Sequence, residues 1–309
     1  FPGAALDGAS LFSLMDKERV KAAWGVPTIW LGLLAEMRKQ KRKPQEFSFM
    51  LSGGSAVPRS MIQELEKEFG VDVTHGWGMT ECSPVGSTTT LGSQTKELSF
   101  DEKLELKTYQ GRRMYTVGMR IVGEDGELLP HDGKAFGELQ VKGHAIIDGY
   151  HEDEEASVAA MTEDGWLKTG DVARITPKGF MMLVDRTKDL IKSGGEWISS
   201  IDLENAAQGH PSIMECAVIS AYHPQWGERP LLIAVTENDV TLNLEDIHEY
   251  LNDKVAKWWL PDDVVFVEEL PHTATGKISK MTLREQFTDY KFEHSESLKA
   301  TAAEMNKVH

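Results

Sequence analysis

Apolar residues recur at helical spacing over 11–42, in Leu11-Phe12-Ser13-Leu14-Met15 and again in Trp30-Leu31-Gly32-Leu33-Leu34, and Pro27 breaks the run into two helices. A compact apolar run, Phe47-Ser48-Phe49-Met50-Leu51, predicts a buried strand, and Ser52-Gly53-Gly54-Ser55 a turn. The next helix has Pro58 near its start, passes through Leu65 to Phe69, and stops at Gly70. Val71-Asp72-Val73-Thr74 predicts a short strand feeding the glycine-spaced loop Gly76-Trp77-Gly78. Strand and helix in alternation predict a layered α/β core.

From about Gly118 to Val184 the texture changes. Short strand patterns at 119–122, 137–141 and 180–184 are separated by Gly, Asp and Pro turns, the rhythm of a small β-barrel or sheet subdomain. After Asp185 a fresh α/β pattern begins, with helices expected over 198–208 and 244–255 and strands over 216–221, 231–235 and 264–267. Residues from Phe287 onward are charged and are expected to form a helix or a frayed tail. The expected fold class is α/β: a layered α/β core plus a small β-barrel subdomain, then a smaller mobile C-terminal α+β domain. The expected boundaries are 1–184 for the large domain, with its barrel at about 116–184, 185–188 for a hinge, and 189–309 for the small domain.

Composition narrows the function classes. A length of 309 residues suggests two domains, because single cores stop growing near about 250–300 residues. The formal net charge of −16 argues against nucleic acid as a partner, since a phosphate backbone demands a basic face. It leaves room for one bound nucleotide, which needs only local cations and backbone N–H groups. Cys82 and Cys216 are the only cysteines, so no disulfide framework is expected and a reducing, cytoplasmic setting fits. The most apolar stretch, 24–34, is far shorter than the roughly 20 residues that a membrane span requires.

Four segments carry candidate chemistry. In His75-Gly76-Trp77-Gly78-Met79-Thr80-Glu81 the glycines let backbone approach a ligand and present N–H groups to phosphate oxygens. Trp77 offers a flat wall to a purine, Thr80 a hydroxyl, and Glu81 a hard oxygen donor suited to Mg²⁺. The same residues also suit a strand-ending turn with a surface Glu. In Asp164-Gly165-Trp166-Leu167-Lys168-Thr169-Gly170-Asp171 the last carboxylate suits two adjacent sugar hydroxyls, or else an Asx-type turn. In Asp185-Arg186-Thr187-Lys188-Asp189-Leu190-Ile191-Lys192-Ser193-Gly194-Gly195-Glu196, Arg186 offers a fork of donors to ribose or phosphate. Lys188-Asp189 then falls between the two expected domains, where a few residues absorb a rotation, or forms a plain charged linker. Lys277, in Thr275-Gly276-Lys277, is a loop cation suited to phosphate or carboxylate. The chain has no zinc helix, no paired Cys-x-x-Cys, no nucleophile elbow and no Walker A loop.

In this order the segments resemble the acyl-CoA synthetases of the adenylate-forming superfamily, over essentially the whole chain. Val26-Pro27-Thr28 is similar to that family's acid-pocket helix region and Ser52-Gly53-Gly54-Ser55-Ala56 to its adenine-contacting turn. Lys257-Trp258-Trp259-Leu260-Pro261 with Pro271-His272-Thr273-Ala274-Thr275-Gly276-Lys277 resembles the medium-chain fatty acyl-CoA ligases, and within them the ligases of 3-methylthiopropionate. The resemblance implies ATP, Mg²⁺ and coenzyme A as cofactors and cosubstrates, a small carboxylic acid as substrate, and a homodimer as an open option. It implies that Gly53, Gly54 and Trp77 frame adenine, with Ser55, Gly76, Gly78 and Met79 on the same nucleotide loops. Thr80 would touch phosphate, Glu81 bind Mg²⁺, Asp171 and Arg186 hold ribose, and Lys188 act as hinge. Lys277 would bridge acid and α-phosphate. Gly194, Gly195 and Glu196 would line the pantetheine path, and His75 would edge the acyl pocket.

One departure from the family is large. Its Ser/Thr/Gly-rich phosphate loop ending in Pro-Lys-Gly has no counterpart here, and the chain opens Phe1-Pro2-Gly3 in mid-domain character. A fragment or processed product is therefore expected, inactive when isolated. A smaller departure is Lys280, where the family commonly has Arg. Two alternatives stand beside the ligase: an adenylating module that loads a separate carrier protein, and an inactive nucleotide-binding fragment.

Overall fold

The computed structural model describes residues 6–123, 125–237, 240, 242–273 and 277–292. The chain divides into two compact units, Phe1–Thr187 and Lys188–His309.

The first unit begins with α1 (Gly8–Lys17), β1 (Ala22–Gly25), α2 (Pro27–Gln40), β2 (Phe49–Gly53), α3 (Arg59–Lys67) and β3 (Asp72–Trp77). Asp7 caps α1 by accepting from Ser10 N at 2.9 Å, and Pro27 opens α2 at a position where no backbone N–H is needed. The three strands pair in parallel, with Trp24, Leu51 and Thr74 aligned across them. Met37, Phe47, Met50 and Ile62 are wholly buried where the helices cover the sheet. β1 lies inside the stretch expected to be helical. Its four residues alternate exposed and half-buried and carry no helical stripe.

The unit continues with β4 (Ser87–Thr88), α4 (Phe100–Thr108), β5 (Gly111–Arg113), β6 (Val117–Val122), β7 (Phe136–Gly143), α5 (Glu154–Ala160), β8 (Leu167–Ile175) and β9 (Phe180–Arg186). All nine strands form one sheet in the order β1-β2-β3-β4-β5-β9-β8-β7-β6. The α/β class holds, but the subdomain expected to be a barrel does not close. Its strands β6 to β9 form an antiparallel meander, and β5 joins β9 to β4 and so to the parallel strands, leaving the path open. That splice lets Trp77 at the end of β3 reach Asp171 in the middle of β8, which pairs with Arg186 at the end of β9.

The second unit contains β10 (Ile191–Ser193), β11 (Glu196–Ile198), α6 (Ser200–Ala207), β12 (Ile213–His223), β13 (Gly227–Thr236), α7 (Leu244–Leu251), β14 (Asp263–Phe266) and α8 (Lys280–Gln286). Its sheet runs β11-β10-β13-β12, with β14 parallel to β13. Alternate residues of the long hairpin point to opposite faces. Cys216, Val218, Leu232 and Ala234 pack with the residues of α6 and α7, whereas Ala217, Ile219, Leu231 and Ile233 pack with Leu283 of α8. Among the described residues no helix is long and apolar enough to cross a membrane.

Candidate active site

The glycines of the first motif stand where backbone meets backbone. Gly53, the last residue of β2, pairs with Gly76 of β3, and a Cβ on Gly53 would lie 2.7 Å from the Gly76 carbonyl oxygen. A Cβ on Gly78 would lie 2.0 Å from the Pro84 carbonyl oxygen, so any side chain there forces the following loop away. Gly54, at φ +88°, and the exposed Ser55 form the turn that leaves β2. Gly76 and Trp77, expected in a loop, are instead the last residues of β3.

Trp77 is buried, and a Cβ on Gly86 would overlap its six-membered ring. Its indole Nε1 donates to Asp171 Oδ2 at 2.7 Å. Asp171, in β8, is only 4% exposed and pairs across the ladder with Arg186 of β9, whose Nε lies 3.1 Å from Asp171 Oδ1. Three residues from three motifs thus converge on one carboxylate. The Arg186 side chain is 62% exposed and extends from this buried acid toward solvent.

Thr80 and Glu81 begin a short 3₁₀ turn, with Thr80 exposed and Glu81 half-buried. Glu81 is clamped twice: its carbonyl oxygen accepts from Ile147 N at 3.0 Å and its Oε1 from the Tyr150 hydroxyl at 2.9 Å. That hydrogen bond, reinforced by burial and the carboxylate charge, raises the Tyr150 phenol above its ordinary range. No cluster of three or more His, Cys, Asp or Glu able to hold a metal exists among the described residues. One oriented carboxylate fits Mg²⁺ delivered with phosphates, because this ion keeps most of its waters and takes only one or two protein carboxylates. Cys82 beside it is no nucleophile. Burial, with the charges of Glu81 and Asp171, pushes its thiol up to about 11.

His75 lies within β3, wholly buried, with Nδ1 3.1 Å from the Thr108 carbonyl oxygen and Nε2 3.5 Å from Gln110 Nε2. The carbonyl accepts, so Nδ1 carries the proton and Nε2 receives from the amide. Gln110 closes the network through Oε1, which accepts from Leu183 N at 2.7 Å. Gln110 belongs to no motif, and nothing in its neighbourhood along the chain marks it. Burial lowers the imidazole to about 4, so the ring is neutral in the folded protein at neutral pH. The unfolded chain takes up this proton near 6.5 and the folded one only near 4. Stability from this group is therefore full above 6.5 and is lost as pH falls through that window. In urea titrations of the intact protein, the stability advantage over His75→Gln is expected to shrink between pH 6.5 and 4.5. A gap that does not move with pH contradicts a buried neutral ring.

The remaining candidates belong to the second unit. Lys188 is exposed at its first position, and Asp189 is ion-paired with Arg284 of α8. Gly194 (φ +59°) and Gly195 (φ +92°) form the tight turn between β10 and β11 and are followed by the exposed Glu196. A Cβ on Gly194 would meet the Trp226 ring at 2.9 Å, whereas one on Gly195 would meet nothing within 4 Å. Lys277 is half-buried, in a hairpin where His272 pairs with Ile278 and Thr273 N donates to the Lys277 carbonyl at 2.7 Å. The Thr275-Gly276 step before it lies outside the described residues.

Two family models match the chain: the AMP-binding enzyme model over residues 1–151 and the AMP-binding enzyme C-terminal domain over residues 202–277. The chain is 48% identical over 297 residues to a medium-chain-fatty-acid–CoA ligase of Ectopseudomonas oleovorans, covering 96% of this chain and 54% of that protein. It is 46% identical to a 3-methylmercaptopropionyl-CoA ligase of Ruegeria pomeroyi, covering 93% of this chain and 53% of that one. The fold matches crystalline ATP-bound MatB from Rhodopseudomonas palustris with a TM-score of 0.78 and 26% identity, over 92% of this chain and 54% of that one. The chain spans about half the length of the curated relatives it matches. With both models matched in order and the fold shared, the chain belongs to the AMP-binding, adenylate-forming enzyme family.

Proposed function

We propose that this chain is the C-terminal part of an AMP-forming acid–CoA ligase. The observation that supports the reading best is the buried carboxylate of Asp171, where the indole of Trp77 and the exposed guanidinium of Arg186 meet from two other motifs. A fixed carboxylate beside an exposed guanidinium suits the two adjacent hydroxyls of a ribose.

In the first step an acid carboxylate oxygen bonds to the α-phosphorus of ATP as the bond to pyrophosphate breaks, giving acyl-AMP. Lys277 neutralises charge between the acid and the α-phosphate. Thr80 donates its hydroxyl to phosphate. Glu81 would hold Mg²⁺, which would supply charge neutralisation for the phosphates. Gly53, Gly54 and Trp77 shape the base site. In the second step the CoA sulfur bonds to the acyl carbon, the carbon–oxygen bond to AMP breaks, and the thiol proton leaves. Rotation about Lys188 exchanges Lys277 for the Gly194-Gly195-Glu196 turn, which lines the acceptor path. Positioning and fixed charge do most of the work.

The substrate class is a short- or medium-chain carboxylic acid, with 3-methylthiopropionate as a candidate from the relatives' names. One methylene alters preference by only about 1–3 kcal/mol, so related acids compete. The test is mass-spectrometric detection of acyl-CoA after incubation of the intact protein with Mg-ATP, CoA and mixed C3–C10 acids, with protein mass recorded against the 34.5 kDa of this chain. A thioester with a preferred acid is expected. No thioester from a protein of the relatives' length overturns the reading.

A further inference from the structure

In the second unit one guanidinium gathers four partners. Arg229, near the start of β13, has a side chain only 12% exposed. Its Nε donates to Asp262 Oδ1 at 2.7 Å and one terminal nitrogen donates to Ser193 Oγ at 3.1 Å and to the Trp258 carbonyl at 2.8 Å. The other terminal nitrogen reaches the Leu260 carbonyl at 3.0 Å and completes the ion pair with Asp262. Ser193 is the residue before the Gly194-Gly195 turn, and Trp258 and Leu260 belong to and cap the short 3₁₀ segment Lys257–Trp259 just before β14. A second tie runs beside it, where Gly194 N donates to the Trp226 carbonyl at 2.8 Å.

The geometry points to Arg229 as a positioning residue for the thiol-transfer step: it sets the Gly194-Gly195 turn at a fixed distance from the Trp258–Leu260 segment, so that a slot of constant width accepts a thin, flexible thiol-bearing chain. The inference rests on the proposed acceptor path. Three features carry it. The guanidinium reaches both segments in the same plane, which fixes their spacing and not merely their attachment. Gly195 leaves open space where any Cβ would project. Trp226 and Trp258, 46% and 43% exposed, present aromatic surface next to the two segments that Arg229 joins. Every partner lies within the second unit.

The experiment separates the two half-reactions in the intact protein. Arg229→Lys retains a charge for Asp262 and the fold but cannot span the other three acceptors, and Ser193→Ala removes the tie to the turn alone. Both are expected to raise KM for CoA about 10-fold in thioester formation from preformed acyl-AMP, with kcat and ATP–pyrophosphate exchange within about twofold, as for loss of uniform binding. An unchanged KM in both variants, or a parallel fall in exchange, overturns the proposal. Gly195→Val is the control for the path itself. If it raises KM for CoA while Arg229→Lys and Ser193→Ala do not, Arg229 has no positioning role and the path stands. If it leaves KM unchanged, the path reading fails and the proposal with it.

Discussion

Lys277→Ala in the intact protein is expected to lower ATP–pyrophosphate exchange about 10²–10³-fold, the scale for removing one preorganised donor to developing charge. Thioester formation from preformed acyl-AMP is expected to stay within a few-fold. The reason lies in how the lysine is held. Its backbone is fixed by the Thr273–Lys277 hydrogen bonds at 2.7 and 3.3 Å, and Ser279 N closes the hairpin base on the Pro271 carbonyl at 2.7 Å. His272 Nε2 then bonds Glu215 Oε1 at 2.9 Å and ties the hairpin to β12. A main chain fixed this way aims one ammonium without fixing its conformation. In the proposed mechanism rotation about Lys188 takes Lys277 out of the second step, so only the first step depends on its charge. Lys277→Arg is expected to rescue poorly, because a planar fork does not replace a compact point charge. Equal losses in the two half-reactions would remove the lysine from its role.

What the chain reveals by pattern and what it conceals differ for physical reasons. The hairpin of β12 and β13 was legible because residues 216–221 and 231–235 are apolar but for Ser220, as suits a strand buried on both faces. α4 was not, because its nine residues bury only Leu104 and Lys107 and so carry no apolar stripe. Its one local signal is the capping box of Ser99 and Glu102. β8 was hidden by Thr169-Gly170, which reads as a turn, and Gly170 does take φ +71° inside a continuing strand. α8 follows so closely on the Lys277 loop that its start at Lys280, capped by Ser279, merges with the polar segment. The barrel expectation came from strand rhythm alone, and rhythm does not encode which strand closes on which.

The candidate site divides in the same way. Motif residues could be nominated from type and order, but their partners could not. Trp77 and Asp171 are 94 positions apart, and Gln110 bridges to residues 35 and 73 positions away. Trp77, expected as a wall for a purine, is a buried donor to the Asp171 carboxylate. Tyr150 was invisible because a lone exposed-looking tyrosine has no signature until it meets Glu81.

Asp171→Asn is the substitution that exploits this arrangement most directly, and it is expected to impair both folding and nucleotide binding. Trp77 Nε1 donates to one oxygen of the carboxylate and the Arg186 guanidinium is ion-paired with the other. An asparagine has one acceptor and one donor end, so either rotamer sets an NH₂ against one of the two donors. Facing the buried indole leaves its N–H unsatisfied, which costs about 1–3 kcal/mol. Facing the exposed Arg186 costs less but turns the guanidinium away from the site. The amide therefore settles toward the indole with its oxygen and loses Arg186. Nucleotide affinity then falls at least about 10²-fold, since two charge-assisted hydrogen bonds to ribose are weakened at about 1.5–3 kcal/mol each. Trp77→Phe separates the contributions: it deletes the indole donor, keeps the carboxylate and Arg186, and is expected to weaken ATP binding by about 10-fold, the lower end for losing a hydrogen bond to a charged group at about 1.5–3 kcal/mol. Calorimetric titration of ATP into the intact protein and its two variants, beside their thermal unfolding, reads both effects. Equal affinity in wild type and Asp171→Asn would leave the acid as a purely structural joint between β3, β8 and β9.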